Sequence, residues 1–153
     1  MSILSKIQSL GWEIPNPPKA LASYIPATTS GNLVFTSGQL PLVNGSLGIT
    51  GKLGKDVSIN DAKIQARIAV LNGLSCIQQV IGDLDRIQKI VKLGVYVSSI
   101  PDFEEQHLVA NGASDALASI FGEAGRHARF AVGVSSLPLD ACVELELIVE
   151  VKP

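Results

Sequence analysis

An arginine and two glutamates near the carboxyl end of the chain have the residue types and spacing that chemistry would need. Arg129 alternates with Ala131 and Gly133 in one segment. In a second segment, Glu144 and Glu146 alternate with valine and leucine. Alternation with a period of two predicts two strands, each with one face in the core and these polar side chains on the other face. Small neighbours leave room above the guanidinium, which could bind a carboxylate through two parallel hydrogen bonds.

Each of these side chains also has a structural interpretation. Arg129 could form a salt bridge to a glutamate across a subunit boundary. Glu144 and Glu146, taken alone, fit a solvated or paired face better than a catalytic pair, because exposed carboxylates on one strand face are common. The bulky apolar side chains of the arginine strand are assigned to the core. They are Phe130, Val132 and Val134.

Further candidates lie earlier in the chain and beside the arginine. Ser37 and Gly38 end a predicted strand, where a hydroxyl and a free backbone amide could hold a ligand oxygen, although Ser-Gly at a strand end also fits a simple turn. Tyr24 falls in the preceding predicted strand and could be a core aromatic or a polar contact. His127 could act as an acid or base but has no partner in the sequence. His107 is assigned to packing.

The order of several short motifs resembles one known family. Residues 128–134 read Ala-Arg-Phe-Ala-Val-Gly-Val, Leu-Pro follows at 137–138, and residues 143–148 read Val-Glu-Leu-Glu-Leu-Ile. Residues 36–41 read Thr-Ser-Gly-Gln-Leu-Pro. This set resembles the signature of the YjgF-type, or Rid, family of reactive-intermediate deaminases, and it covers the chain from about Tyr24 to the end.

The resemblance implies a fold, an assembly and a chemistry. The fold would be chorismate-mutase-like, in a homotrimer whose sheets form a barrel-like core with three clefts at the subunit boundaries. Arg129 would bind the carboxylate of an imine or enamine acid, and Glu144 would hold or polarise the attacking water. The substrate-binding residues implied by the resemblance are Tyr24, Ser37, Gly38, Asn111 and Ala131.

Two of the matched positions depart from the family pattern. Ala131 stands where many members carry a cysteine, so that any mechanism here must be non-covalent, and Phe130 replaces a serine. Asn111 is the nearest match to an asparagine that the family places in its second helix. The leading hypothesis is a deaminase that releases 2-keto acids and ammonium. The alternatives are a non-catalytic module that binds small carboxylates and an endoribonuclease.

Composition limits the partners that the chain could have. The net charge is −2, the pI is near 5.6, and the basic residues are scattered, which argues against a nucleic-acid partner and hence against the ribonuclease hypothesis. Cys76 and Cys142 have no spacing with histidines that suggests zinc. We therefore expect no metal and no cofactor. No apolar run of about twenty residues occurs, so a cytoplasmic protein without a membrane partner is expected.

The elements that must position these residues follow from periodicity and turn signals. We predict one α+β domain over residues 1–153, in which a short helix and an extended segment occupy 1–19, and two helices cover one face of a mixed sheet. The other face, with Val34, Tyr96 and Ile148, would be buried by association. The predicted strands span 20–26, 33–37, 86–98 and the two C-terminal segments, the helices span 3–10, 58–82 and 101–122, and residues 43–54 form a loop.

Overall fold

A mixed sheet with helices on one side is the framework of the computed structural model, which describes residues 1–17 and 22–153. Within these residues the helices are α1 (Ile3–Ser9), α2 (Ile59–Ile81) and α3 (Gln106–Phe121). The strands are β1 (Ala27–Ser30), β2 (Leu33–Thr36), β3 (Leu42–Val43), β4 (Ser46–Leu47), β5 (Ile87–Ser98), β6 (Ala128–Val134) and β7 (Val143–Val151). The main sheet has the order β1-β2-β7-β5-β6, and β3 pairs with β4 alone.

Helix α2 lies on the sheet as its sequence predicts. The hydroxyl of Ser58 accepts a hydrogen bond from the backbone N–H of Asp61 at 3.1 Å, which satisfies a donor at the helix start, and Gly82 ends the helix with a φ of 84°. At Gly73 an added Cβ would come within 3.0 Å of Leu147 Cδ1 on β7. A stripe of small residues allows this close approach, and it consists of Ala62, Ala66, Ala69, Gly73 and Cys76, all buried.

Helix α3 packs tightly against α2 but begins later than predicted. At Gly112 an added Cβ would lie 2.2 Å from the carbonyl oxygen of Lys63 on α2, so only glycine permits this approach. The predicted start at Pro101 is wrong. The backbone N–H of Ile100 is bonded to the carbonyl of Leu53 at 3.1 Å, which ties this segment to another part of the chain, and the helix begins only at Gln106.

The amino-terminal part of the chain agrees with the sequence in its helix and differs in its first strand. Helix α1 is present, and Trp12 packs under the guanidinium of Arg67, 5.0 Å from the ring centroid. Residues 12–17 contain no helix or strand. The strand predicted at 20–26 is wrong for residues 22–26, which form bends, and residues 20 and 21 lie outside the described residues. The strand begins at Ala27 instead.

Two smaller differences reflect local geometry. The loop predicted at 43–54 contains the β3–β4 hairpin, because Asn44 and Gly45 both adopt positive φ, at 51° and 81°, as a tight two-residue turn requires. In β5, register shifts against β7 near Ile87 and Ile90 displace the alternation. Ile90 is therefore fully buried in the core, whereas the next residue, Val91, is only half-buried.

The two faces of the sheet are assigned by register. On β6, Arg129 lies opposite the buried Leu93 and points to α3, whereas Phe130 packs edge-on against Tyr96 with ring centroids 5.3 Å apart. The predicted core set Phe130, Val132 and Val134 is therefore wrong, and these residues belong to the face opposite the helices, which we call the outer face. Val132 on this face is 42% exposed.

The outer face also changes at β2. Val34 was expected on it but is fully buried and pairs with Val149 in the core. Phe35, opposite Ile148, takes its place. The outer face thus carries Phe35, Tyr96, Phe130, Val132, Glu144, Glu146 and Ile148. In the part of the chain that the structure describes, no helix is long and apolar enough to cross a membrane.

Candidate functional site

Arg129 is held by helix α3 on the edge strand of the sheet. Its Nη1 donates hydrogen bonds to Oδ1 of Asn111 at 2.9 Å and to Oγ of Ser114 at 3.1 Å. Its Nη2 donates to the backbone carbonyl of His107 at 3.5 Å, the upper limit for such a bond. Sequence reasoning placed Arg129 on the same face as the glutamates, and this placement is wrong because the side chain lies on the helix-covered face.

One edge of this guanidinium has no partner among the described residues. A guanidinium has five N–H donors, and the contacts with α3 use both of those at Nη1 and one at Nη2. The N–H of Nε and the second N–H of Nη2 remain, and they form an edge whose spacing matches the two oxygens of a carboxylate. No carboxylate in residues 1–17 and 22–153 forms an ion pair with Arg129. An intrachain salt bridge therefore does not explain this arginine.

A second hydrogen-bonded pair lies behind the arginine. Nε2 of His127 is 2.9 Å from Oγ of Ser114, and Nδ1 of His127 is 2.6 Å from the carbonyl oxygen of Gly125. Ser114 thus lies between the histidine ring and the guanidinium of Arg129. Sequence reasoning missed Ser114 and gave His127 no partner. The available signal was spacing, because positions 107, 111 and 114 recur at four and three residues along one helix face.

Glu144 belongs to a different group of residues, at the end of β2. Backbone hydrogen bonds between Gln39 and Leu145, at 2.7 and 3.0 Å, bring the segment after β2 against β7. As a result, a Cβ at Gly38 would lie 2.7 Å from Oε1 of Glu144. The adjacent Ser37 donates from its hydroxyl to the carbonyl of Ile25 at 2.6 Å. The carboxylate of Glu144 can keep this position because Gly38 has no side chain.

Tyr24 directly precedes Ile25, whose carbonyl accepts the hydrogen bond from Ser37. The residue is 54% exposed, so it is not the core aromatic that one interpretation allowed. The structure therefore brings Gly38 close to Glu144, with Ser37 next to Gly38 in the chain and bonded to Ile25, and leaves Tyr24 accessible beside Ile25. His107, expected to pack in the core, is exposed, and only its backbone carbonyl contributes to the site.

The electrostatics of Glu144 suit a proton acceptor. Its partial burial, and to a lesser extent the neighbouring charge of Glu146, raise the pKa of Glu144 above its usual value. The hydroxyl of Tyr96 donates to Oε1 of Glu146 at 3.1 Å, and burial together with these carboxylates raises the pKa of Tyr96. Glu146 is therefore occupied by a tyrosine, whereas Glu144 has a destabilised negative charge that a proton would relieve.

The two groups are far apart within one chain. Register places Glu144 opposite Tyr96 and Tyr96 opposite Val132, which is three residues beyond Arg129. Two strand spacings and three residue rises give a separation of about 14 Å, with the two side chains on opposite faces of the sheet. Ala131 shares the face of Arg129 and lies opposite Val95. One chain therefore cannot bring Arg129 and Glu144 to the same small ligand.

The two cysteines belong to the hydrophobic core. Cys76 and Cys142 are buried, and burial raises the pKa of each thiol to about 11, so both stay protonated at neutral pH. Among residues 1–17 and 22–153, no three histidine, cysteine, aspartate or glutamate side chains are grouped so as to hold a metal ion. The polar groups described at these positions are a guanidinium, amides, hydroxyls and carboxylates.

Comparison with known proteins identifies similar chains. A family model described as "YjgF/chorismate_mutase-like, putative endoribonuclease" matches residues 4–151. Protein TCP17 of Trypanosoma cruzi is 42% identical over 149 residues, which cover 97% of this chain and 93% of that protein. The 2-iminobutanoate/2-iminopropanoate deaminase of Escherichia coli K12 is 32% identical over 133 residues, 87% of this chain and 91% of the deaminase. A crystal structure from Shewanella oneidensis, described as a putative endoribonuclease, has a TM-score of 0.95 at 33% identity and covers 99% of this chain and 100% of its own.

Proposed function

The chain belongs to the YjgF/chorismate mutase-like family, and from that premise we propose that it hydrolyses reactive 2-imino and enamine acids to 2-keto acids and ammonium. The resemblance noted in the sequence is thereby confirmed at the level of the family. The substrate class is supported by the relative named as a 2-iminobutanoate/2-iminopropanoate deaminase. The observation that carries the proposal is the Nε and Nη2 edge of Arg129, for which residues 1–17 and 22–153 provide no partner.

Arg129 binds the substrate carboxylate in this proposal. Its Nη1 is occupied by Asn111 and Ser114, so the guanidinium can rotate little and its free edge has a fixed direction. A carboxylate that accepts from Nε and Nη2 would gain two parallel, charge-assisted hydrogen bonds. Asn111 thus acts through the arginine, and Ala131 on the same face leaves room where a larger side chain would crowd the ligand.

Glu144 accepts the proton of the attacking water. An enamine first tautomerises to the imine. Water then adds to the C=N carbon while Glu144 takes one of its protons and the imine nitrogen gains a proton from solvent. In the resulting carbinolamine the protonated Glu144 returns its proton to the nitrogen, the C–N bond breaks, the C=O bond forms as the hydroxyl loses its proton to solvent, and the ammonia released takes up a proton from solvent to become ammonium. The raised pKa of Glu144 supports this role, because a base works best when its pKa approaches the pH of the reaction.

The proposed site is shared between two copies of the chain. Arg129, Asn111 and Ala131 of one copy would face Tyr24, Ser37, Gly38 and Glu144 of its neighbour. The separation of about 14 Å within one chain, worked from strand spacing and residue rise, supports this division. So does the apolar character of the outer face, where Phe130, Val132 and Ile148 would gain from burial. A homotrimer with three such sites is the assembly that we propose.

A coupled assay tests the function. A threonine dehydratase generates 2-iminobutanoate from threonine, and the appearance of 2-ketobutyrate is followed with and without this protein. We expect a faster appearance with the wild-type protein and with Arg126→Ala, because Arg126 is exposed and pairs only with the exposed Glu123. Arg129→Ala should lose the acceleration. Equal rates with and without wild-type protein, or an active Arg129→Ala, would refute the deaminase proposal.

A non-catalytic module that binds small carboxylates is the second candidate. The arginine and the two side chains that hold it belong to one chain, whereas Glu144 must come from another, so that binding needs fewer parts than turnover. Titration with 2-ketobutyrate, followed by NMR, separates the two. Binding that Arg129→Ala abolishes, without any turnover by wild type, would favour the module.

A further inference from the structure

We propose that Ser114 and His127 are positioning residues that fix the direction of the Arg129 guanidinium and thereby set the affinity for the substrate carboxylate. The inference rests on the proposed function of Arg129 and adds to it the residues on which that function depends. It starts from an uninterrupted row of hydrogen bonds that runs from the loop before β6, through helix α3, to the arginine on β6.

The donors and acceptors of this row can be assigned in one order. The carbonyl oxygen of Gly125 can only accept, so Nδ1 of His127 carries a proton and donates to it. In the neutral ring Nε2 is then an acceptor, and the hydroxyl of Ser114 donates to it. The remaining lone pairs of Ser114 Oγ accept from Nη1 of Arg129. The tautomer is assigned from these partners. Each group therefore has the role that its neighbour requires.

The far end of the row is fixed by packing. A Cβ at Gly125 would lie 2.4 Å from the carbonyl oxygen of Leu117 on α3, so the loop backbone rests directly on the helix. The carbonyl that accepts from His127 is therefore held by the same helix that carries Ser114 and Asn111. Helix, loop, histidine and serine form a closed arrangement around the arginine, and its position does not depend on one flexible contact.

The arginine needs this arrangement because it lies on an edge strand. Among the strands that the structure describes, β6 has a neighbour on one side only, and an arginine side chain there would otherwise sample many rotamers. Without Ser114, Nη1 would keep only its bond to Asn111, and the guanidinium plane could turn about that contact. A turned plane no longer presents Nε and Nη2 together, so a carboxylate would lose one of its two bonds.

The test measures affinity and turnover separately. Dissociation constants for 2-ketobutyrate are measured by NMR titration, and kcat and KM by the coupled assay. Ser114→Ala and His127→Leu should each weaken 2-ketobutyrate binding about tenfold and raise KM similarly, with kcat little changed, because a carboxylate contact made in both ground and transition state affects KM alone. Ser114→Thr should stay within about twofold of wild type, because it keeps the hydroxyl.

The controls distinguish positioning from folding and from failure of the proposed function. Ser119→Ala changes an exposed serine on the same helix and should leave both constants unchanged. Wild-type affinity in both Ser114→Ala and His127→Leu, alongside loss of binding in Arg129→Ala, would overturn the positioning role alone. Wild-type affinity in Arg129→Ala would overturn the proposed function itself. Should Ser114→Ala fail to fold, His127→Leu tests the same row from its other end.

Discussion

Mixing two inactive variants should restore activity if each site is built from two copies of the chain. Arg129→Ala removes the side chain proposed to bind the carboxylate, and Glu144→Gln removes the proposed proton acceptor. Each variant alone is expected to be inactive in the coupled assay. In an assembly that contains both, an intact Arg129 from a Glu144→Gln copy can face an intact Glu144 from an Arg129→Ala copy.

The expected recovery follows from geometry and chance. Arg129 and Glu144 of one chain lie on opposite faces of the sheet, about 14 Å apart by strand spacing and residue rise, so no single chain can complete a site. In a ring of identical contacts, each site takes one residue from either side of a boundary. In an equimolar random mixture, half of the copies on each side carry the needed residue, so about one quarter of the sites are complete.

For the assay, the two variants are unfolded together and refolded as a mixture. The rate at which 2-ketobutyrate appears is then compared with the rate given by refolded wild-type protein. Wild type mixed equally with the double variant serves as the matched control. It should also give about one quarter of full activity for a shared site, against about one half for a site within one chain. No recovery in the mixture of single variants, together with one half in the control, would refute a site shared between copies.

Three further predictions concern the same residues and their supports. Glu144→Gln should raise the melting temperature at pH 7. The folded state raises the pKa of Glu144, so the stability that the protonated carboxyl gives is lost as the pH rises through that pKa, whereas glutamine stays neutral. In melting curves recorded over a pH series, the gain over wild type should vanish below about pH 4, where the carboxyl is protonated in both the folded and the unfolded state. Gly38→Ala places a methyl group 2.7 Å from Oε1 of Glu144 and should lower kcat by about 100-fold, whereas Gly48→Ala, with nothing within 4 Å, should not. Gly112→Ala should lower the unfolding free energy in urea by about 1–3 kcal/mol, because the new Cβ would meet a backbone carbonyl at 2.2 Å and the two helices must separate. An unchanged urea midpoint for this last variant would mean that the helices tolerate the separation.

The α+β fold was predictable because its long elements carry independent signals. Helix α2 has a capping residue at Ser58 and a glycine at its end, which together predicted its bounds, and a stripe of small residues that predicted its packing on the sheet. The alternation of β7 assigned its faces correctly, with Leu145 and Leu147 buried and Glu144 and Glu146 on the outer face. The family resemblance also indicated Asn111 as a site residue, and in the structure its Oδ1 accepts a hydrogen bond from Arg129. Its role in substrate binding stays a prediction.

The faces of β6 were not predictable from the strand alone. Both sets of alternating residues are apolar or small, and the rule that bulky side chains face the core selected Phe130, Val132 and Val134. The rule fails because helix α3 lies directly over β6. A Cβ added at Gly133 would come within 2.7 Å of Nε2 of Gln106 at the start of that helix. Only small side chains and the extended arginine fit between strand and helix. Long-range register with β5, which a single strand does not encode, decides the faces.

Predictions at two local sequence signals, Asn44-Gly45 and Pro101, were wrong for different reasons. Asn44-Gly45 is a strong hairpin signal, yet the flanking strands are only two residues long and the surrounding glycines indicate a loop. Pro101 followed by acidic residues is typical of a helix start, but backbone pairing of Ile100 with Leu53 takes precedence over local preference. The hairpin thus forms where its local signal indicates, whereas at Pro101 a tertiary contact determines the outcome.

The proposed site contains charges that one chain leaves uncompensated. Arg129 is half-buried with no carboxylate paired to it among the described residues, and Glu144 is half-buried beside a second carboxylate, Glu146, which is the neighbouring charge that helps to raise its pKa. Within the described ranges, neither side chain gains an opposite charge in return for its partial loss of hydration, although Arg129 keeps its hydrogen bonds to helix α3. A substrate carboxylate would compensate the arginine, and a proton taken from water would neutralise the glutamate. The features that are unfavourable for the isolated fold are therefore those that binding and proton transfer would relieve, which is the pattern expected of a functional site rather than of a structural ion pair.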